Sequence, residues 1–229
     1  MNILVTGAAG FLGRRLIQAL LERGSLTDRH GQLRPIQRIT AFDRDPVQGL
    51  DDPRVQVKGG DITDPQVLAN LIDANTQGIF HLAAVVSSQA ESDFDLGMRV
   101  NFSATQGLLE RARQLGTCPK WVMTSSVAVF GGQLPDTVGD DQVWSPQSSY
   151  GTQKAMNDLL LADYSRRGFV DGRSLRMPTI VVRPGKPNLA ASSFASGIIR
   201  EPLNGQASVC PVPLNLSLIH ISEPTRPER

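Results

Sequence analysis

Residues 2–13, with the sequence NILVTGAAGFLG, decide the fold class of this chain. The first five of them are mostly apolar, with β-branched side chains among them, and this pattern predicts a strand. After the glycines, apolar residues recur at spacings of three and four through Leu21, which predicts a helix that Gly24 ends. The stretch is therefore a strand, a glycine-rich turn and a helix, which is how an α/β unit opens.

The same alternation continues along the chain. Residues 24–37 are polar, contain Gly31 and Pro35, and are interpreted as a surface loop. The run 78–84 is nearly continuously apolar, as expected of a strand covered on both faces, so the sheet is predicted to be parallel. Further strands are predicted over 38–42, 55–57 and 121–124, and further helices over 100–115 (apolar face Leu108, Leu109, Ala112, Leu115) and 150–164 (apolar face Met156, Leu159, Leu160, Tyr164). This order predicts a doubly wound α/β fold with ligand sites at the carboxyl ends of the strands.

Composition excludes several classes of protein. A chain of 229 residues corresponds to one domain, or to one domain and a fragment, and its net charge of +1 gives no reason to expect nucleic acid or an acidic membrane as a partner. Cys118 and Cys210 are too few and too far apart for a disulfide framework, and no metal site is predicted. The sequence predicts no signal peptide and contains no apolar run long enough to cross a membrane, so we expect a cytoplasmic protein.

The first motif with chemical content is the G-x-x-G-x-x-G formed by Gly7, Gly10 and Gly13. Glycines between a strand and a helix let the backbone approach a pyrophosphate, which the helix N-terminus attracts. Asp43 ends the second strand, where a carboxylate accepts ribose hydroxyls and repels a 2′-phosphate, so NAD is predicted over NADP. Arg44 is a counter-signal because it could hold that phosphate, although a solvated loop arginine explains it better.

Asp61 and Ile62 follow the third predicted strand. They could meet an adenine amine and its ring face, or Asp61 could cap the next helix, and the sequence favours neither alternative.

The second motif is Tyr150 and Lys154, four residues apart and therefore on one helix face, preceded by Ser125 and Ser126 at a strand end. An ammonium beside a phenol favours the phenolate and should lower the pKa of Tyr150. A serine hydroxyl on the facing strand could hold the substrate oxygen. The pattern predicts acid/base chemistry at a hydroxyl or carbonyl group.

With these motifs, residues 1–215 resemble the extended short-chain dehydrogenase/reductases, in the NAD-dependent epimerase/dehydratase group. The resemblance implies a Rossmann fold with Tyr150 as the acid/base, Lys154 as the residue that tunes it and holds the nicotinamide ribose, and Ser126 as the catalytic serine, with Ser125 as the alternative. His81 is interpreted as a core residue and His30 as a solvated one. The cofactor contacts implied are Gly7, Gly10, Phe11, Leu12, Gly13, Asp43, Asp61, Ile62, Ala83, Asn101, Tyr150, Lys154, Pro178 and Ile180.

A narrower likeness, in the strings 148–156, 164–173 and 178–188, is to members that oxidise the C2 hydroxyl of a small sugar acid with NAD⁺. It makes Arg183 a candidate carboxylate clamp, with a surface salt bridge as the alternative. Substrate contacts are also expected at Ser87, Ser125 and Ser192. Two other functions are considered: a nucleotide-sugar epimerase or dehydratase, and a dinucleotide-binding protein without catalysis.

The end of the chain departs from the family. Residues 216–226 resemble a translated sequencing adapter, so 216–229 are predicted to be foreign. We expect the NAD-binding domain at 1–185 and only the start of a substrate-binding lobe at 186–215, which makes the activity that of a longer parent. We expect two copies of the chain to form a homodimer through the helices at 98–115 and 150–166.

Overall fold

The computed structural model describes residues 1–183 and 193–212, and within them eight strands and nine helical segments of α, π or 3-10 type are found. The strands are β1 (Asn2–Thr6), β2 (Ser25–Thr27), β3 (Leu33–Pro35), β4 (Arg38–Asp43), β5 (Val55–Gly59), β6 (Thr76–His81), β7 (Lys120–Ser126) and β8 (Asp171–Met177). The α-helices are α1 (Phe11–Arg23), α2 (Pro65–Leu71), α3 (Ser87–Ser92), α4 (Phe94–Gly97), α5 (Ala104–Leu115), α6 (Ser149–Arg166) and α7 (Ser193–Leu203). A π-helical turn, Met98–Ser103, precedes α5, and a 3-10 turn, Val127–Val129, follows β7.

Six strands form one parallel sheet in the order β5-β4-β1-β6-β7-β8. β1 pairs with β4 on one side and with β6 on the other, so the direction in which strands are added reverses at β1. Ligands of open α/β sheets bind outside the carboxyl ends of the strands at such a reversal. The predicted doubly wound parallel sheet is confirmed.

Both faces of this sheet are covered, because alternate residues of β1 enter two different cores. Ile3 and Val5 pack with Ile17 of α1 and Ile39 of β4. Leu4 belongs to the opposite core, whose largest member is Trp121 on β7. The sheet is thus a buried layer, and its polar chemistry can only emerge at the strand ends.

Residues 24–37 were predicted to be a surface loop, and this is wrong. β2 and β3 pair as an antiparallel hairpin within that stretch. The carboxylate of Asp28 closes the turn by accepting the backbone N–H groups of His30 and Gln32. The composition of this stretch did not reveal the hairpin, because its turn is held by hydrogen bonds to the Asp28 side chain and not by an apolar pattern.

The predicted apolar face of α6 is only partly correct, because Leu160 and Tyr164 pack against the core but Leu159 does not. Leu159 is 62% exposed, whereas the polar residues Gln153, Lys154, Asn157 and Asp158 are buried. Each of these side chains forms at least one hydrogen bond inside the protein, as buried polar groups usually do, although Nε2 of Gln153 and Oδ1 of Asn157 have no partner among the described residues. The polar side of α6 therefore faces the interior of the protein.

No helix in residues 1–183 or 193–212 is long and apolar enough to cross a membrane.

Candidate functional site

A cleft of about 930 Å³ opens at the carboxyl ends of β1, β6, β7 and β8. It is where the reversal of strand order leads us to expect a ligand. Of the predicted site residues, those that line it are Gly7, Gly10, Phe11, Leu12, Gly13, Ser87, Ser125, Ser126, Tyr150, Lys154, Pro178, Ile180 and Arg183. Residues 1–13 and 124–183, far apart in the sequence, meet around this cavity.

The glycine loop forms one wall, and its geometry requires glycine at two positions. Gly7 has a φ of +72°, and a Cβ there would lie 2.8 Å from the backbone nitrogen of Ala83. A Cβ on Gly13 would lie 2.1 Å from the carbonyl oxygen of Gly7. α1 therefore begins unusually close to β1, and its N-cap, Gly10, has no side chain that would occupy the positive end of the helix. This cradle fits a dinucleotide pyrophosphate.

Asp43 holds this loop in place. One carboxylate oxygen accepts the backbone N–H of Ala9 at 2.8 Å, and the other accepts that of Asp45 at 3.1 Å. The side chain of Arg44 is 70% exposed, and its Nε lies 3.8 Å from the carboxylate of Asp45. The interpretation of Arg44 as a solvated loop residue fits this position.

Asp61 and Ile62 do not line the cleft. Asp61 accepts both the backbone N–H and the hydroxyl of Thr63 at 2.8 Å, and the backbone bond is the main reason why the pKa of Asp61 is lowered. Helix α2 is capped by Asp64, which accepts the N–H of Gln66, so a helix-capping role for Asp61 is wrong. Ile62 is 6% exposed and packs in the core, which leaves its side chain little surface for a ligand.

Ala83 and Asn101 support the cleft from behind its wall. The Ala83 backbone N–H donates to the Thr6 hydroxyl at 3.2 Å and abuts Gly7. Asn101 is 1% exposed; its amide oxygen accepts the N–H of Val85, and its amide nitrogen donates to Gln153. Direct contact between Asn101 and a cofactor therefore does not fit, because both ends of its amide are engaged inside the protein.

His81 is a core residue, as predicted. The Thr105 hydroxyl donates to the Asn101 carbonyl, so it accepts from Nε2 of His81 at 2.9 Å. Nδ1 is then left to accept the Thr6 hydroxyl at 2.8 Å. Burial lowers the pKa of His81 to about 3, so the ring is neutral at physiological pH. His30 is exposed, again as predicted.

The opposite wall carries the predicted catalytic residues. Lys154 is 4% exposed; its ammonium donates to the carbonyl of Thr124 at 2.8 Å and lies 5.5 Å from the centre of the Tyr150 ring. Ser126 follows on the same strand and caps the 3-10 turn Val127–Val129 by accepting the N–H of Ala128. The Ser126 hydroxyl also forms a hydrogen bond with the phenol of Tyr150, which lowers the pKa of that phenol.

The expected lowering of the Tyr150 pKa is wrong. Burial of the phenol raises its pKa, and the hydrogen bond from Ser126 offsets this only in part. Burial also lowers the pKa of the Lys154 ammonium, to about 8, although the charge of Asp158 opposes this. Desolvation outweighs the local charge at this site.

The structure separates the two candidate serines. Both serines line the cleft, but Ser125 is 2% exposed and donates its hydroxyl to Asp158 at 2.9 Å, whereas Ser126 is half-buried. Successive strand residues face opposite ways, which is why only one of the two is held inside. The geometry favours Ser126.

The remaining candidates lie where the chain leaves β8. Pro178, Ile180 and Arg183 line the cleft, and the backbone of Arg183 accepts Arg200 at 2.7 Å and donates to Ser196 at 3.3 Å, both on α7. Burial lowers the pKa of Arg183 somewhat, but a guanidinium remains charged. Ser87 lines the cleft at the start of α3, and Ser192 lies outside the described residues.

Sequence reasoning missed two acidic residues. Glu91 lines the cleft and accepts the N–H of Ser149 at the start of α6 at 2.9 Å, and no sequence pattern pointed to it. Asp158 is buried and bonds to Ser125. Its position four residues after Lys154, itself four after Tyr150, is a helical spacing that could have revealed it. Among residues 1–183 and 193–212, no cluster of His, Cys, Asp and Glu could hold a metal.

Comparisons with known proteins agree with this geometry. The sequence model of the NAD dependent epimerase/dehydratase family matches residues 3–223, which includes part of the segment predicted to be foreign. The chain is 64% identical to a D-erythronate dehydrogenase of Cupriavidus necator over 93% of its own length and 65% of the relative's. It is 48% identical to one of Haemophilus influenzae, over 95% of this chain and 67% of that protein.

A solved structure shares the fold. It is described as a nucleoside-diphosphate-sugar epimerase from Agrobacterium tumefaciens and matches with a TM-score of 0.84 at 46% identity, over 93% of this chain and 63% of that one. The chain thus spans about two thirds of the length of the proteins it matches.

Proposed function

Because the chain belongs to the NAD-dependent epimerase/dehydratase family, we propose that it carries the catalytic part of a dehydrogenase that oxidises the C2 hydroxyl of a small sugar acid, D-erythronate, to the 2-oxo acid. One observation carries the proposal: Ser126, Tyr150 and Lys154 converge on one wall of a cleft whose other wall is the glycine cradle. The two relatives named D-erythronate dehydrogenase support the choice of substrate.

The cofactor of this family is NAD, and the residues present fit it. The cradle at Gly7, Gly10 and Gly13 would hold the pyrophosphate, and the Asp43 carboxylate would accept the adenosine ribose hydroxyls. We assign the nicotinamide end to Lys154, Pro178 and Ile180, with Phe11 and Leu12 beside the pyrophosphate. When bound, NAD⁺ supplies the hydride acceptor.

The chain's own residues handle the proton. Tyr150, as the phenolate, takes the proton of the substrate hydroxyl, and Ser126 holds the same oxygen by a hydrogen bond. Burial favours the protonated phenol of Tyr150. A positive charge on Lys154 favours the phenolate, but Lys154 has this charge only while it carries its own proton. The mechanism therefore needs Tyr150 deprotonated and Lys154 protonated.

We assign substrate recognition to Arg183 and Ser87. A guanidinium matches a carboxylate bidentately, and Arg183 is a cationic group on the cleft wall with Lys154 as its companion. Glu91, on the same cleft, would repel a carboxylate placed near it, which favours the Arg183 end for the acid group. α7 (Ser193–Leu203) falls within 186–215, which we assign to the start of a substrate-binding lobe.

The test is NADH formation from NAD⁺ and D-erythronate, followed by absorbance, with identification of the 2-oxo acid. D-threonate, which differs only in configuration at C2, is the matched control. We expect Arg183→Met to raise KM by at least about tenfold with little change in kcat, as for loss of uniform binding. Binding of NADH without any turnover of D-erythronate would contradict the proposal.

A second candidate, epimerisation of a nucleoside-diphosphate sugar, is favoured by the described activity of the solved neighbour. Such an enzyme interconverts sugar epimers and returns its NAD⁺ unchanged. Mixing the chain with UDP-glucose and analysing the sugar products separates the two functions, since only the epimerase would produce a second UDP-sugar without net NADH.

We also propose that two copies of the chain associate through the helices at 98–115 and 150–166. Leu159 supports this, because a leucine that is 62% exposed on the outer side of α6 favours burial against a partner. Sedimentation equilibrium of the chain and of Leu159→Lys tests it. A monomeric wild-type chain would contradict the proposal.

A further inference from the structure

Asp158 is a buried carboxylate on α6 that binds two neighbouring strands. It is 4% exposed, and its oxygens accept the hydroxyl of Ser125 on β7 at 2.9 Å and the hydroxyl of Ser174 on β8. Nε of Arg176, also on β8, donates to it at 3.3 Å. Three elements of the fold therefore meet at one carboxylate.

A charge at this position requires an explanation. Burying a carboxylate is costly unless it is paired, and an apolar residue would often serve the core as well. Arg176 provides part of the pairing, but its guanidinium is also stacked on Trp144, 4.3 Å from the ring centre, and faces Phe130 at 5.5 Å. The ion pair alone does not account for a carboxylate next to the catalytic wall.

Lys154 is the second cation that interacts with the charge of Asp158. It precedes Asp158 by one helical turn, and both are buried. Burial lowers the pKa of Lys154, and the charge of Asp158 opposes that lowering. The other titratable groups facing Lys154 among the described residues are Tyr150 on the same helix and neutral His81 on β6, so Asp158 is the anion that favours its charged form.

The bond to Ser125 gives Asp158 a second effect. Ser125 stands between Thr124, whose carbonyl accepts the Lys154 ammonium, and Ser126, which lines the cleft. Fixing Ser125 fixes both neighbours, because a strand residue cannot shift without moving the adjacent peptide groups.

Resting on the proposed function, we propose that Asp158 is a positioning residue for the reaction. Its negative charge favours the ammonium form of Lys154. Its bond to Ser125 holds the strand end that presents the Thr124 carbonyl to Lys154 and the Ser126 hydroxyl to the substrate.

The test measures Lys154 directly and needs no turnover. The chain contains four lysines, so lysine labelled with carbon-13 at the ε position gives few NMR signals, and the variant Lys154→Met identifies the one that matters. Its chemical shift is followed against pH in the wild type and in Asp158→Asn, which preserves shape and removes the charge. Ser174→Ala is the matched control, because it removes a bond to the same carboxylate and leaves its charge.

We expect Asp158→Asn to lower the titration midpoint of Lys154 by about half a pH unit or more, and Ser174→Ala to leave it in place. A purely structural role gives the opposite sign, since a loosened core would hydrate Lys154 and raise its midpoint towards the ordinary value of 10.5. An unchanged or raised midpoint in Asp158→Asn overturns the proposal. If that variant does not fold, Asp158→Glu decides: a midpoint close to that of the wild type supports the role of charge, and a clear shift in either direction overturns it.

Turnover supplies an independent reading. In the D-erythronate assay, the alkaline fall of kcat should move to lower pH in Asp158→Asn and stay in place in Ser174→Ala. If the wild-type chain does not turn over D-erythronate, the proposed function fails while the NMR result still decides the role of Asp158.

Discussion

The ammonium of Lys154 donates a hydrogen bond of 2.8 Å to the main-chain carbonyl of Thr124, which joins helix α6 to the end of strand β7. An ammonium has three donors, so two remain for groups inside the cleft. This bond fixes the distance between the lysine and Ser126, two residues further along the strand, and so sets the spacing of the catalytic wall.

Tyr150→Phe should lower kcat by about two to four orders of magnitude, because it removes the general base and keeps the ring. NADH binding, measured by fluorescence titration, should stay within about twofold of the wild type. Tyr164→Phe is the control, since that hydroxyl donates to Glu110 outside the cleft. Unchanged turnover in Tyr150→Phe would assign the base to another residue.

Asp43→Ala should narrow the preference for NADH over NADPH by about 1 to 3 kcal/mol, the contribution of a hydrogen bond to a charged group. Binding of both nucleotides by titration measures it. The variant also removes the bond to Ala9, so some loss of NADH affinity is expected. Asp45→Ala, with a side chain that is 70% exposed, should leave the preference as it is. A wild-type chain that binds both nucleotides equally would refute the assignment of Asp43.

Gly13→Ala should abolish measurable NADH binding and destabilise the fold by about 1 to 3 kcal/mol, the usual cost of overpacking. The reason is steric, because the added Cβ would lie 2.1 Å from the carbonyl oxygen of Gly7 and α1 would have to move off β1. Thermal unfolding and NADH titration measure the two effects. Gln18→Ala, on the exposed side of the same helix, is the control, and binding retained by Gly13→Ala would show that the cradle does not hold the cofactor.

Stability should fall as the pH drops below about 6.5, because burial holds the pKa of His81 at about 3 in the folded chain. The unfolded chain binds the proton first, so the stabilisation present above pH 6.5 is lost at up to about 1.4 kcal/mol per pH unit. Urea unfolding at pH 7 and pH 5 tests this. His81→Gln should be less stable overall but show a flatter pH dependence, whereas exposed His30→Gln should match the wild type. If the free energy of unfolding changes equally between pH 7 and pH 5 in the wild type, His81→Gln and His30→Gln, then His81 does not control the loss of stability.

The sequence by itself determined the α/β order, the parallel sheet and the glycine cradle. These follow from local rules: the alternation of β-rich and helical segments, and glycines where a strand turns directly into a helix. The spacing of Tyr150 and Lys154 placed both side chains on one face of a helix for the same reason.

Only the tertiary structure decided which groups the cleft receives and in what state. Asn101 is bound to Val85 and Gln153 behind the wall, Ser125 is held by Asp158, and the phenol of Tyr150 has its pKa raised by burial. Each outcome depends on neighbours distant in sequence and on the removal of water, and neither is encoded in local spacing. Periodicity showed that α6 exists, but the bonds of Asp158 across β7 and β8 decided that its polar side faces inward.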